Sequence, residues 1–164
     1  MKSLNIQHSP VAEKVASIAL FERIQKMFNL HPSKMVNDVK EMAKKRNCTP
    51  SDLLSQMHHP AQRLFRETLA LTILILKERP LSTISLYPQH TRDLIDYFKL
   101  SAADLAEGMK EKAKLEGYDA VEAAEWLQEN HWQVLEWAFA ETMRVLMKEE
   151  TEADTARIQS LNRK

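Results

Sequence analysis

The placement of proline does most to constrain what this chain can fold into. Five of its six prolines stand just before apolar residues at helical spacing, namely Pro10, Pro32, Pro50, Pro60 and Pro88. Proline suits the first position of a helix, because its fixed φ is helical and its missing N–H has no partner there. The chain has only two glycines, so it lacks a glycine-rich phosphate-binding loop. This pattern predicts an all-α protein.

Capping and spacing signals mark eight helices along the chain. Their predicted starts are Ser9-Pro10, His31-Pro32, Thr49-Pro50, His59-Pro60, Pro88, Ser101, Asp119 and Asn130. We predict that Asn47 and Gly117 end the helices before them in the left-handed conformation. We therefore expect a compact bundle of six to eight helices.

Two of these helices are predicted to differ from the rest. The segment LALTILIL, within a helix over about 61–79, is apolar on all sides, which is typical of a buried central helix. The last helix runs past Met147 and is long and amphipathic. The polar residues 151–164 are expected to fray.

The charge of the chain is zero overall but unevenly distributed. Residues 1–100 have a net charge of +6 and residues 101–164 a net charge of −6. We predict a single domain over 1–164, with a possible division into a basic half (1–80) and an acidic half (88–150). Such polarity allows the halves to dock, two copies to pair, or a basic face to bind a polyanion, and it also fits chance variation in surface charge.

The sequence contains few residues arranged for catalysis. It has one cysteine, Cys48, no signal-peptide pattern and no apolar run near the roughly 20 residues needed to cross a bilayer, so a cytoplasmic location is expected. The metal motif HExxH, the P-loop and GxSxG are all absent. We predict a protein that is not an enzyme, with no catalytic or metal-binding residue, no cofactor and no small-molecule substrate.

Residues 32–57 are predicted to form a basic helix–turn–helix-like unit. They are similar to the helical part of ribbon-helix-helix repressors at Pro32, Met35, Val36, Val39, Met42, Ala43, Asn47, Thr49, Ser51, Leu53 and Leu54. The preceding KMFNLH does not alternate, so the DNA-reading strand of those repressors is missing. The candidate nucleic-acid contacts are Lys40, Lys44, Lys45, Arg46 and Ser51. An ordinary corner between two helices is the alternative.

The last helix carries an aromatic residue on its polar side. A helical wheel places Trp137 among Gln133, Arg144 and Lys148, opposite an apolar side made of Trp132, Leu135, Phe139, Met143 and Leu146. An aromatic residue in a polar arc is typical of an interface anchor. It can equally be covered by another helix of the same molecule.

A second resemblance spans residues 117–139. The Gly117-Tyr118 turn with Ala123, Ala124, Leu127, Val134 and Ala138 resembles the three-helix ubiquitin-associated type of module. Two functions therefore remain open. One is a small regulatory protein that binds a protein partner, or itself, through the last helix. The alternative is a DNA-binding transcriptional regulator that uses residues 32–57. We expect no membrane partner for either.

Overall fold

A computed structural model describes residues 10–79 and 89–162, and every regular element in these ranges is an α-helix. The helices are α1 (Pro10–Met27), α2 (Pro32–Arg46), α3 (Pro50–Leu76), α4 (Gln89–Tyr97), α5 (Ala102–Glu116) and α6 (Ala120–Asn162). The all-α prediction and the long C-terminal helix are confirmed. The predicted starts at Ser9 and Pro88, and the possible boundary at 80–88, lie outside the described residues.

Local capping signals set most of the helix ends. Thr49 and Ser101 accept hydrogen bonds from the backbone N–H three residues on, at 3.2 and 3.3 Å, and Asp119 accepts from residues 121 and 122. Asn47 and Gly117 end α2 and α5 with φ of 53° and 75°. These caps satisfy backbone groups that the helix itself leaves unpaired.

The predicted number of helices is too high at its upper end, because two expected breaks do not occur. Helix α3 runs through Pro60, and α6 runs through Asn130. Buried residues on either side of Pro60, Met57 and Ala61, keep the chain helical although proline removes one N–H from the ladder. The side chain of Asn130 donates to the carbonyl of Trp126 within the helix, 2.8 Å away, instead of capping a new one.

The continuity of α6 also bears on the two local resemblances. Residues 120–139 lie in one helix, so they do not form the separate helices of a ubiquitin-associated module. Residues 32–57 do form two helices joined by a turn at Asn47–Thr49, although the second helix continues to Leu76. The segment KMFNLH completes α1 and the turn after it, without a strand.

The described chain divides into two compact units, each made of separate stretches of sequence. The first unit contains the chain up to Leu30 and Pro60–Leu135, and the second contains His31–His59 and Glu136–Lys164. Each unit thus combines segments from both predicted halves. The prediction of one domain with a possible boundary at 80–88 stays a prediction.

Aromatic rings form the centre of the first unit. Phe65 of α3 packs edge-on against Phe28 and Phe98, with ring centroids 4.9 and 5.5 Å apart. It stacks on the ring of His131 in α6, 5.9 Å away and tilted by 2°. All four side chains are buried. Burial of these aromatic carbons contributes to the stability of the unit.

Some residues that were predicted to be buried are exposed in the structure. The helix over 61–79 buries one side, including Leu64, Leu69 and Thr72, whereas Ala70 is exposed. Ile18, predicted to face inward, is 52% exposed. Trp132 is 54% exposed because it follows the buried His131 and lies about 100° further round α6. The helical wheel, drawn for the last helix as a whole, placed Trp132 on the apolar side and so missed its exposure.

Candidate protein-interaction surface

The inner side of α6 fixes this helix within the second unit. Ala138, Phe139, Thr142 and Leu146 are all buried there. The Thr142 hydroxyl donates to the carbonyl of Ala138, 2.6 Å away, and lies 3.8 Å from the sulfur of Met35 in α2. With its inner side packed in this way, α6 presents its opposite side in a defined orientation.

Helix α3 adds a polar anchor to the same end of α6. His58 Nε2 lies 2.7 Å from a carboxylate oxygen of Glu136, and the His58 ring lies 4.9 Å from the ring of Phe139. Both side chains of the polar pair are about one-third exposed. This contact fixes the first residue of α6 in the second unit, Glu136, against α3. The opposite side of α6 is exposed to solvent.

The exposed side of α6 in the second unit has a seven-residue spacing. We call it the outer face, and it consists of Trp137, Ala140, Arg144, Met147, Thr151, Asp154, Ile158 and Leu161. All eight side chains are exposed. Their intervals alternate between three and four residues, which places them on one stripe of a helix. Five of the eight are apolar, so the outer face is a mainly apolar seam with three polar interruptions.

Trp137 is the largest side chain on the outer face and is 41% exposed. Arg144 and Lys148, predicted to surround it, are exposed in the same unit. Gln133 is also exposed, but it belongs to the first unit. The candidate surface therefore belongs to the part of α6 that begins at Glu136.

Two ion pairs lie along the outer face. Arg144 donates three hydrogen bonds to the Glu141 carboxylate, the shortest at 2.5 Å, and Arg157 lies 3.3 Å from Asp154. This hydrogen bonding lowers the pKa of the Glu141 carboxyl group and raises the pKa of the Arg144 guanidinium group. The two pairs run in the same order along the helix: acid then base at 141 and 144, and acid then base again at 154 and 157.

The sequence prediction missed the C-terminal half of the outer face. Met147, Ile158 and Leu161 are 55%, 53% and 63% exposed. Residues 151–162, predicted to fray, continue α6, and every side chain there is exposed. The signal was present in the sequence as the seven-residue interval from 137 through 144 and 151 to 158.

The candidate nucleic-acid contacts also lie in the second unit. Lys44, Lys45 and Arg46 occupy the last turn of α2 and are exposed, where they complement the helix dipole. Lys40 and Ser51 instead contact carboxylates of α6. The Lys40 ammonium lies 2.5 Å from Glu149, and the Ser51 hydroxyl lies 3.0 Å from Glu150.

The first unit contains an open cleft of about 410 Å³ between α1, α5 and the start of α6. Ile24, Met109 and Trp126 contribute apolar lining, and Arg23 and Lys112 also line the cleft. Arg23 pairs with Glu116 at 3.4 Å. Burial, together with the charge of Glu116, raises the pKa of nearby Tyr118. No nucleophile–base pair is among the residues that line the cleft.

The described residues contain neither a candidate metal site nor a helix that could span a membrane. Within residues 10–79 and 89–162, no three His, Cys, Asp or Glu side chains are grouped so that they could hold a metal ion. No helix in these ranges is long and apolar enough to cross a membrane. Comparison of the chain with family models, with curated proteins and with solved structures gives no match.

Proposed function

We propose that this chain is a small, non-enzymatic regulatory protein of the cytoplasm that binds a protein partner through the outer face of α6. One observation carries the proposal: Trp137 is 41% exposed on a helix whose opposite side is packed into the second unit. A large aromatic side chain that is partly exposed on a fixed helix leaves apolar area that a partner can cover.

The physical chemistry of interfaces supports this assignment. Tryptophan and arginine are the residues that most often dominate binding energies, and Trp137 lies two turns from Arg144 on the same stripe. An amphipathic helix that offers residues at intervals of three and four is a common recognition element for an apolar groove or a second helix. Because α6 is helical before binding, little ordering entropy opposes association.

DNA binding by residues 32–57 is the alternative proposal, and it has less support. Glu149 and Glu150 contact Lys40 and Ser51, so carboxylates lie among the candidate phosphate contacts. We expect no gel-shift complex between the full chain and duplex DNA, even at low salt. A complex that weakens steeply with salt, and is lost on neutralising Lys44, Lys45 and Arg46, would favour this alternative instead.

Affinity capture with three forms of the full chain tests the interaction proposal. The immobilised wild type, Trp137→Ala and Trp132→Ala proteins are each exposed to an extract of the cells that make the protein. Trp132 is a matched control, because it is a more exposed tryptophan on the same helix but lies in the first unit. We expect Trp137→Ala alone to lose the captured protein, whether this is another protein or the chain itself.

If Trp137 is the anchor, Trp137→Ala should reduce the binding free energy by at least about 2 kcal/mol, which is roughly 30-fold in affinity. Titration of the purified captured protein against each form measures that change, and circular dichroism checks that the helices are retained. Equal binding by all three forms would refute the proposal.

A further inference from the structure

We propose that the partner of the outer face is a second copy of this chain, whose α6 lies antiparallel to the first. The inference rests on the proposed function, because it names the partner of that same surface. In this arrangement two residues face each other when their numbers add up to 298. The two copies are then related by a two-fold axis beside residue 149, and every contact occurs twice.

The seven-residue spacing of the outer face supports pairing with another helix. Residues 137, 144, 151 and 158 occupy one position of a heptad, and residues 140, 147, 154 and 161 occupy the other core position. These two sets form the seam of two-stranded coiled coils. The seam spans 25 residues from Trp137 to Leu161, which are about 36 Å apart along the helix axis at the helical rise.

In the antiparallel register each core position meets a complementary one. Trp137 faces Leu161 of the second copy, Ala140 faces Ile158, and Met147 faces Thr151. The largest side chain of the seam is thus matched with an exposed leucine, and the smallest with an exposed isoleucine. Pairing large with small residues in successive layers is how helices interdigitate.

Charge complementarity fixes the direction of the second helix. Antiparallel pairing places Arg144 opposite Asp154 of the second copy, and Glu141 opposite Arg157. The two ion pairs within each chain therefore meet as an alternating group of four charges. Parallel pairing in register would instead oppose Arg144 to Arg144 and Asp154 to Asp154, which is unfavourable at core positions.

The C-terminal segment of α6 gives an independent reason for a covering partner. Residues 151–162 are helical although all their side chains are exposed. A helical segment of this length gains little stability in water without packing of an apolar side. In the antiparallel arrangement Ile158 and Leu161 pack against the Trp137 end of the second copy, where each chain has its folded second unit.

Sedimentation equilibrium of the full chain over a concentration series tests this inference. We expect the wild type to approach twice the 19.0 kDa mass of the chain as its concentration rises. The double variant Ile158→Glu/Leu161→Glu should raise the dissociation constant at least about 30-fold. Both substitutions lie in the exposed segment 151–162, so the core of the second unit is untouched.

Ala153→Glu/Ala156→Glu is the matched control, since it adds the same charge to the same segment away from the seam. We expect this control to dimerise like the wild type. If it weakens association as much as Ile158→Glu/Leu161→Glu does, the seam assignment is wrong. A wild-type chain that stays at 19.0 kDa throughout also overturns the inference.

A charge-exchange cycle tests the antiparallel direction. Arg144→Asp and Asp154→Arg should each weaken the dimer, because each creates a like-charge pair between the copies. The double variant restores opposite charges across the antiparallel interface, and should recover wild-type affinity to within about threefold. The double variant loses the ion pairs of residues 144 and 154 within each chain, and each single variant loses one of them. Recovered dimer affinity therefore reports the contact between the two copies.

A double variant as weak as the single variants would refute the antiparallel register. These outcomes are distinguishable from failure of the proposed function. A monomeric chain that still captures another protein through Trp137 leaves the proposed function standing and removes only the second copy as partner. A dimer that is unaffected by Trp137→Ala refutes the inferred contact of Trp137 with Leu161.

Discussion

The buried ring of His131 should make this protein less stable in mild acid. Its side chain is only 4% exposed and stacks on Phe65. Its Nδ1 lies 3.1 and 3.0 Å from the carbonyl oxygens of Leu127 and Gln128, so Nδ1 donates to them. Desolvation by burial lowers the pKa of His131 below its ordinary value of 6.5, with a smaller lowering from the charge of Arg66.

The sign of the effect follows from proton binding in the two states. Below pH 6.5 the unfolded chain protonates His131, whereas the folded chain holds the ring neutral until its own lower pKa is reached. The free energy of unfolding therefore falls as pH falls through this window. One proton changes it by at most about 1.4 kcal/mol per pH unit.

Urea unfolding of the wild type and of His131→Gln measures this contribution, because the glutamine variant retains every other titrating group. We expect the stability advantage of the wild type to shrink between about pH 7.5 and about pH 5.5. The slope should stay within the single-proton limit. A pH-independent difference between the two proteins, or one that grows in acid, would refute the reasoning.

Three further substitutions test the fold. Pro60→Ala restores an N–H in the middle of α3 and should raise the free energy of unfolding by about 1–3 kcal/mol, whereas a proline at a true helix start would give little change. Phe65→Ala should cost about 3–5 kcal/mol in the same urea assay, because three buried rings lose their shared contact. Asn47→Ala should cost about 1 kcal/mol while Asn47→Gly stays close to the wild type, since φ is 53° there; equal effects of the two would contradict the left-handed cap.

Helix ends were predictable from the sequence where a local signal decides them. Asn47 and Gly117 end helices as expected, and Thr49 and Ser101 cap them, because each acts on backbone groups within four residues. The same local reasoning failed at Pro60, where the helix continues because packed residues on both sides of the proline outweigh the lost hydrogen bond.

The candidate surface was only half predictable for a related reason. Trp137 stood out on a helical wheel, because a single helix determines which residues share a side. The continuation through Ile158 and Leu161 was hidden by the polar residues between them. The association of residues 31–59 with residues 136–164 depends on contacts distant in sequence, and no capping or spacing signal carries that information.

The interleaved order of the two units has a consequence for synthesis of the chain on the ribosome. The second unit needs residues 136–164, and these emerge only after residues 60–135 have been made. At ordinary elongation rates that interval lasts on the order of 4–15 s. During it, the apolar side of α2 has no α6 to cover it, so this nascent segment exposes apolar side chains for that whole interval.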